Sequence, residues 1–102
     1  MALRRSRRRV RRGSLTVTWV PGTPSDPTRV AYAIGRKTGT AVVRNRIRRR
    51  LRAAARECHA DLGAGAYLVG ATAQASVVPY AQLKYSLGEA LAALTVEPGR
   101  AG

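Results

Sequence analysis

The sequence is poor in the residues that build disulfides, metal sites and catalytic centres. Its 102 residues include one Cys, one His, one Trp and no Phe, and 5 Asp plus Glu stand against 19 Lys plus Arg. Because Cys58 cannot form an intramolecular disulfide, nothing favours an oxidising compartment, and we expect a cytoplasmic protein. A core without Phe must come mainly from Val, Leu, Ile and Ala, and this length supports one small domain.

The scarcity of acids argues against a catalytic centre on the polypeptide. Hydrolysis or group transfer needs paired carboxylates, an activated nucleophile or a metal cluster. The acids stand singly in the sequence, at Asp26, Glu57, Asp61, Glu89 and Glu97. Cys58 and His59 are neighbours, which a helix would turn about 100° apart rather than toward one ion. We therefore predict no catalytic residue and no metal site on this chain.

No membrane segment is predicted. The Arg-rich start is followed by alternating apolar and hydroxyl residues from Leu15 to Val20, unlike the apolar stretch of an export signal. The longest uncharged stretch, residues 62–83, is interrupted by Gly, Gln and Pro. We expect neither a membrane nor a small-molecule substrate as partner.

The positive charge is concentrated in the first half of the chain. Residues 1–56 hold 17 basic residues against Asp26, a charge of +16, whereas residues 57–102 carry −2. Such an imbalance predicts a polyanionic partner, and nucleic acid is the first choice.

Hydrophobic periodicity predicts three strands and two helices. Residues 14–20 and 30–34 alternate with period two and indicate two half-buried strands, antiparallel to each other, joined by a Pro-rich surface loop over 21–27. Residues 66–71 predict a short buried strand. From Ala41 the period becomes helical, with Thr40 as N-cap, and a second helix follows Pro79. Its apolar positions are Leu83, Leu87, Leu91 and Leu94.

These elements predict an α+β fold in which a small mixed sheet packs against helices. The order is a short lead strand, then β-β-α-β-α. We predict an Arg-rich lead over residues 1–13, a single RNA-binding domain over 14–94 and a C-terminal tail over 95–102. Tyr32 is expected in the core rather than as a stacking platform.

The first helix combines an apolar stripe with a cationic face. Its apolar residues fall within about 80° on a helical projection; they are Val43, Ile47, Leu51, Ala54 and Cys58. Residues 36–56 hold nine basic residues and no acid: Arg36, Lys37, Arg44, Arg46, Arg48, Arg49, Arg50, Arg52 and Arg56. Since like charges on one rigid element repel unless an anion lies opposite, this pattern predicts phosphate binding, and guanidinium groups suit that task.

The sequence allows two interpretations of Asn45 and two of the second face of the sheet. Asn45 lies on the same exposed face and either hydrogen-bonds a base or a 2′-hydroxyl or is incidental. The second face of the sheet carries the small or hydroxyl residues Thr16, Thr18, Ala31, Ala33 and Gly35. It either admits a nucleic-acid strand or lies under a further helix.

Residues 39–52, GTAVVRNRIRRRLR, resemble the signature of the bacterial ribonuclease P protein component. The likeness lies in the triplet Arg44, Asn45, Arg46 entering a helix and in the basic pair two residues later. An upstream strand that ends in Arg36 and Lys37 extends it. The resemblance covers roughly residues 14–94.

The resemblance implies a protein that binds a large catalytic RNA and helps to remove the 5′ leader of precursor tRNA, with hydrolysis performed by Mg²⁺ held mainly by the RNA. It implies a left-handed crossover through the Arg-rich helix. The residues implied to contact the RNA subunit are Arg44, Asn45, Arg46, Arg48, Arg49 and Arg52. Lys37 and the sheet face with Thr18 would meet the single-stranded leader.

The chain departs from the family at its start, because family members usually begin with an amphipathic helix bearing aromatic residues, whereas this chain starts with an Arg tract. Two other functions fit the composition. A structural ribosomal protein would copurify with ribosomal subunits rather than with the catalytic RNA. A stand-alone nuclease would cleave without any RNA subunit.

Overall fold

The computed structural model describes residues 8–22, 28–58 and 65–95, and within them it shows the predicted order of elements. The strands are β1 (Arg8–Arg12), β2 (Leu15–Pro21), β3 (Arg29–Ala33) and β4 (Gly65–Ala71), and the helices are α1 (Ala41–Glu57) and α2 (Tyr80–Thr95). Short 3₁₀ turns at Arg36–Thr38 and Ala73–Ser76 precede α1 and α2. Residues 23–27 of the predicted loop, 1–7 of the lead and 96–102 of the tail lie outside the described residues.

The four strands form one mixed sheet in the order β1-β2-β4-β3. β1 and β2 form an antiparallel hairpin, β2 and β4 are antiparallel, and β3 and β4 are parallel. The chain therefore leaves β3, forms α1 and returns beside β3 as β4, which confirms a βαβ unit; its left-handed sense stays a prediction. β2 and β3 run antiparallel as predicted, but β4 lies between them.

Both helices contribute their apolar stripes to one core beneath the sheet. The fully or almost fully buried side chains include Leu15, Val17, Tyr67 and Val69 from the sheet, Ile47, Leu51 and Ala54 from α1, and Leu83, Leu87, Leu91 and Leu94 from α2. The stripe predicted for α1 and the leucine repeat predicted for α2 are thus confirmed. Tyr32 is half-buried and packs against this core, as predicted.

The prediction of a buried strand at 66–71 is wrong in one respect. β4 is buried on alternate residues only, with Tyr67 1% exposed and Leu68 46% exposed. A strand buried on both faces needs a layer on each side. Here helices cover one face, and no described element covers the other, which we call the outer sheet face.

Arg8 ties the edge strand β1 to the end of α2. Its guanidinium donates to the carbonyl oxygens of Ala93, at 3.1 Å, and Leu94. The last carbonyls of a helix have no intrahelical partner, and a cation there also interacts favourably with the helix dipole. Strand β1, within the lead, therefore joins the sheet and contacts α2.

Candidate nucleic-acid interface

The apolar underside of α1 determines where its arginines lie. Thr40 caps the helix, and its hydroxyl oxygen accepts from the backbone N–H of Val43 at 3.2 Å. Ile47, Leu51 and Ala54 are fully buried against the sheet and α2. Because these anchors hold one face of the helix to the core, the intervening basic residues are turned outward.

The arginines of α1 divide into exposed groups and groups bound to the fold. The exposed ones are Arg46, Arg49, Arg52 and Arg56. Arg44, Arg48 and Arg50 are partly buried, and each donates to backbone oxygens. The prediction of one uniform cationic face is therefore refined, since part of the charge also stabilises the fold.

The bound arginines hold two flanks of α1 to their neighbours. On one flank, Arg44 Nε donates to the Gly39 carbonyl at 3.2 Å, and Arg48 donates to the Ile34 carbonyl at 3.3 Å. On the other flank, Arg50 donates to the carbonyls of Ala75, at 2.8 Å, and Val78. Arg50 thus connects α1 to the segment between β4 and α2.

Asn45 is exposed and accepts a hydrogen bond from Arg48 across 3.2 Å at its Oδ1 atom. This contact orients the side-chain amide and leaves its N–H₂ group available as a donor. Binding of a base or a 2′-hydroxyl by this amide stays a prediction.

Within the described residues, no acid pairs with an arginine of α1. Glu57, at the end of the helix, faces α2 instead, where it lies 2.6 Å from Lys84 Nζ and accepts from the Tyr80 hydroxyl at 2.9 Å. Two hydrogen bonds hold the pKa of Glu57 below its ordinary value; the one from Lys84 has the larger effect and the one from Tyr80 the smaller. The described acids therefore leave the positive charge on the exposed side of α1 uncompensated.

The cationic surface continues into the turn that precedes α1 and extends toward the edge strand β3. Arg36 and Lys37 are exposed in the turn that precedes the helix, and the Thr38 hydroxyl of this turn lies 3.4 Å from the Ala71 carbonyl at the end of β4. Burial raises the pKa of Tyr32, while the positive charges of Arg52 and Arg56 oppose that shift. These arginines therefore lie near β3, at the edge of the sheet.

Four of the five residues predicted for a leader cleft lie together on the outer sheet face. Register places Thr18, Leu68 and Ala31 in one row across β2, β4 and β3, and places Thr16, Gly70 and Ala33 in the next. Ala31 and Ala33 are exposed, and Thr16 and Thr18 are half-exposed. Gly35, also exposed, follows the end of β3 and has open space around it. Register thus brings Thr16, Thr18, Ala31 and Ala33 to one face of the sheet, whereas Gly35 lies beyond the last paired residue of β3.

A groove of about 470 Å³ occupies this face and contains residues that sequence reasoning did not assign to the site. Its lining includes Arg9, Val20, Ala66 and Leu68 besides the predicted Thr18 and Ala31. The sequence contained a signal for Arg9. In a lead strand Val10 would face the core, so the neighbouring Arg9 would project to the opposite face. No signal marked Leu68, because its exposure depends on which elements cover this face of the sheet.

The described residues do not form a metal site, since no three of their His, Cys, Asp or Glu side chains come together. They offer no carboxylate-rich set of the kind that binds Mg²⁺. Among the same residues, neither helix is long and apolar enough to cross a membrane.

Comparison with known proteins identifies relatives of this chain. The family model described as Ribonuclease P matches residues 1–95. A ribonuclease P protein component from Thermobifida fusca is 38% identical over 106 residues, which cover 97% of this chain and 72% of that protein. One from Symbiobacterium thermophilum is 45% identical over 64 residues, covering 62% of this chain and 56% of its own length.

Solved structures show the same fold. The RNase P protein of Staphylococcus aureus superposes with a TM-score of 0.76 at 23% identity, covering 92% of this chain and 86% of that chain. The protein from Thermotoga maritima superposes with a TM-score of 0.75 at 20% identity, covering 94% and 89%. A match along nearly the whole chain, together with a shared fold and the Arg-rich helix at its centre, shows that this chain belongs to the ribonuclease P protein family.

Proposed function

We propose that this chain acts as the protein subunit of a ribonuclease P, binding a catalytic RNA and the 5′ leader of precursor tRNA. The observation that carries the proposal is the acid-free cationic side of α1, anchored by a buried stripe and continuous with an open sheet face. Family membership favours this function over that of a structural ribosomal protein. We expect the complex in the cytoplasm.

The exposed arginines of α1 supply the contacts to the RNA subunit. Guanidinium groups bind phosphates bidentately, and a rigid helix holds their backbone positions at fixed spacing, so that the entropy lost on binding is that of the side chains. Arg46, Arg49, Arg52 and Arg56 are available for this because no described residue accepts a hydrogen bond from them. Arg44 and Arg48 keep further N–H donors beyond the bonds that they make within the fold.

The outer sheet face supplies the contacts to the leader. Small side chains at Ala31 and Ala33 let a strand approach the backbone, and the hydroxyls of Thr16 and Thr18 donate or accept hydrogen bonds. Lys37 and Arg36 lie at the end of β3, next to this face. A single-stranded leader presents its bases as well as its phosphates, which suits a face of mixed polarity.

The chemistry of leader removal is assigned to the RNA subunit. The Mg²⁺ for hydrolysis would be held mainly by that RNA, and the described part of this chain offers no set of carboxylates for the ion. The contribution of the protein is to neutralise phosphates at the junction of RNA subunit and substrate. We therefore expect its effect to be largest at low Mg²⁺, where fewer cations screen RNA–RNA repulsion.

Reconstitution tests the proposal directly. The full chain is combined with a bacterial ribonuclease P RNA, and cleavage of a precursor tRNA is measured at low Mg²⁺. We expect cleavage at the mature 5′ end that requires the RNA and is strongly enhanced by the protein. Cleavage by the protein alone, or no enhancement over the RNA alone, would refute the assignment.

A further inference from the structure

Strand β1 places two arginines at the margin of the groove on the outer sheet face. Its register pairs Arg9 with Thr18 and Arg11 with Thr16. Directly paired residues of antiparallel strands project to the same face, so Arg9 and Arg11 continue the two rows across the sheet. The rows therefore run from a cationic edge over Thr, Leu or Gly to Ala at β3.

The four arginines of β1 are divided between two environments. Arg8 and Arg12 are partly buried and donate to backbone carbonyls, Arg8 at the end of α2 and Arg12 to Arg11 at 2.8 Å. Arg9 and Arg11 are exposed, and neither guanidinium makes a hydrogen bond or an ion pair with another described residue. Their charges are available to an anion on the groove side.

The dimensions and chemistry of the groove fit a single nucleic-acid strand. Three inter-strand spacings separate β1 from β3, a width of about 14 Å. Arg9 and Arg11 border one side, and the exposed Arg29 begins β3 on the other. Between them, Leu68 and Val20 are 46% and 41% exposed and provide apolar contact for the faces of bases and sugars.

We propose that Arg9 and Arg11 form a phosphate-binding rim that holds the backbone of the leader while its bases lie over the sheet. This inference rests on the proposed function and adds two binding residues to it. A different role is possible for charged residues on an edge strand, since they prevent sheets from pairing edge to edge. That role predicts no effect of these arginines on RNA binding, so experiment separates the two.

The test uses the reconstituted holoenzyme and two precursor tRNAs, one with a leader long enough to cross the sheet and one with a leader of a single nucleotide. The variant Arg9→Gln/Arg11→Gln is compared with the wild type and with Arg9→Lys/Arg11→Lys, which keeps the charge. Arg46→Gln/Arg49→Gln serves as the matched control, because it removes the same charge from α1. Thermal melting verifies that each variant folds.

We expect the rim variant to lose about fivefold in affinity for the long-leader substrate and little for the short one, as two exposed charge contacts would supply. Its slope of log affinity against log salt should fall by about 1.4, or 0.7 for each contact with a single strand. The lysine variant should retain most of the affinity. The α1 control should weaken binding of the RNA subunit instead, without a preference for leader length once that RNA is saturating.

Three results would overturn the inference. Equal long-leader affinity of the wild type and the rim variant would refute the rim and leave the proposed function intact. An equal loss with both substrates would place the arginines on another part of the complex. If the wild-type protein fails to support cleavage with the RNA, the proposed function is refuted and the rim with it.

Discussion

Replacing Arg46 and Arg49 with Ala tests whether the exposed side of α1 binds the RNA subunit. Both side chains are exposed and make no hydrogen bond or ion pair with another described residue, so their removal costs the fold little. If each binds one phosphate, the slope of log affinity against log salt becomes shallower by about 1.4 to 1.8. Between 50 and 200 mM salt, the wild type should then lose about seven- to twelvefold more affinity than the variant.

The matched control is Arg50→Ala, on the same helix. Arg50 donates to the carbonyls of Ala75 and Val78, and its removal leaves two partly buried oxygens without their donor. We expect a loss of about 1 to 3 kcal/mol in the free energy of unfolding and an unchanged salt slope. The two variants should therefore separate binding from stability.

The assay is equilibrium binding of the full chain to a bacterial ribonuclease P RNA over a series of salt concentrations, with thermal or urea unfolding measured in parallel. An unchanged slope for Arg46→Ala/Arg49→Ala would refute the surface that we assign to the RNA. So would a slope for Arg50→Ala that falls as far as that of the double variant, because it would mean that net charge, rather than position, determines binding.

Two further predictions concern the fold. Leu51→Ala removes a fully buried side chain from the stripe of α1 and should lower the free energy of unfolding by about 2 to 5 kcal/mol, and a near-zero effect in urea unfolding would contradict this packing. Glu57, whose pKa is lowered chiefly by Lys84, adds stability above the ordinary Glu pKa of about 4.3 that is lost as the pH falls through the lowered value. Glu57→Gln should therefore make melting temperature depend less on pH in that acid range, and parallel profiles for both proteins would refute the contact.

Much of the candidate site could be predicted from the sequence because it depends on local periodicity. The spacing of Ile47, Leu51 and Ala54 determines which side of α1 is buried, and thus which side carries the exposed charge. Thr40 identifies the start of the helix, because its side chain caps a residue only three positions along the chain. The outer-face residues of β2 and β3 follow from alternation alone, since successive side chains of a strand project to opposite faces.

The structure adds contacts between residues that are far apart in the chain. Arg48 donates to a carbonyl 14 residues away and Arg50 to one 25 residues away. Helical phase places Arg50 about 20° from Val43, beside the apolar stripe, but it does not show which arginines reach a backbone acceptor. Which arginines serve binding and which serve the fold therefore became clear only from the packing around α1.

The sequence by itself determined the elements, the buried faces of all but β4 and the excess of positive charge, because hydrophobic period and capping act over a few residues. The tertiary structure decided that β4 lies between β2 and β3, that no described element covers the outer sheet face and that β1 brings Arg9 and Arg11 to the margin of that face. Strand order and register depend on which distant segments pair, and the free energy of that pairing is shared by the whole core rather than encoded in any one segment.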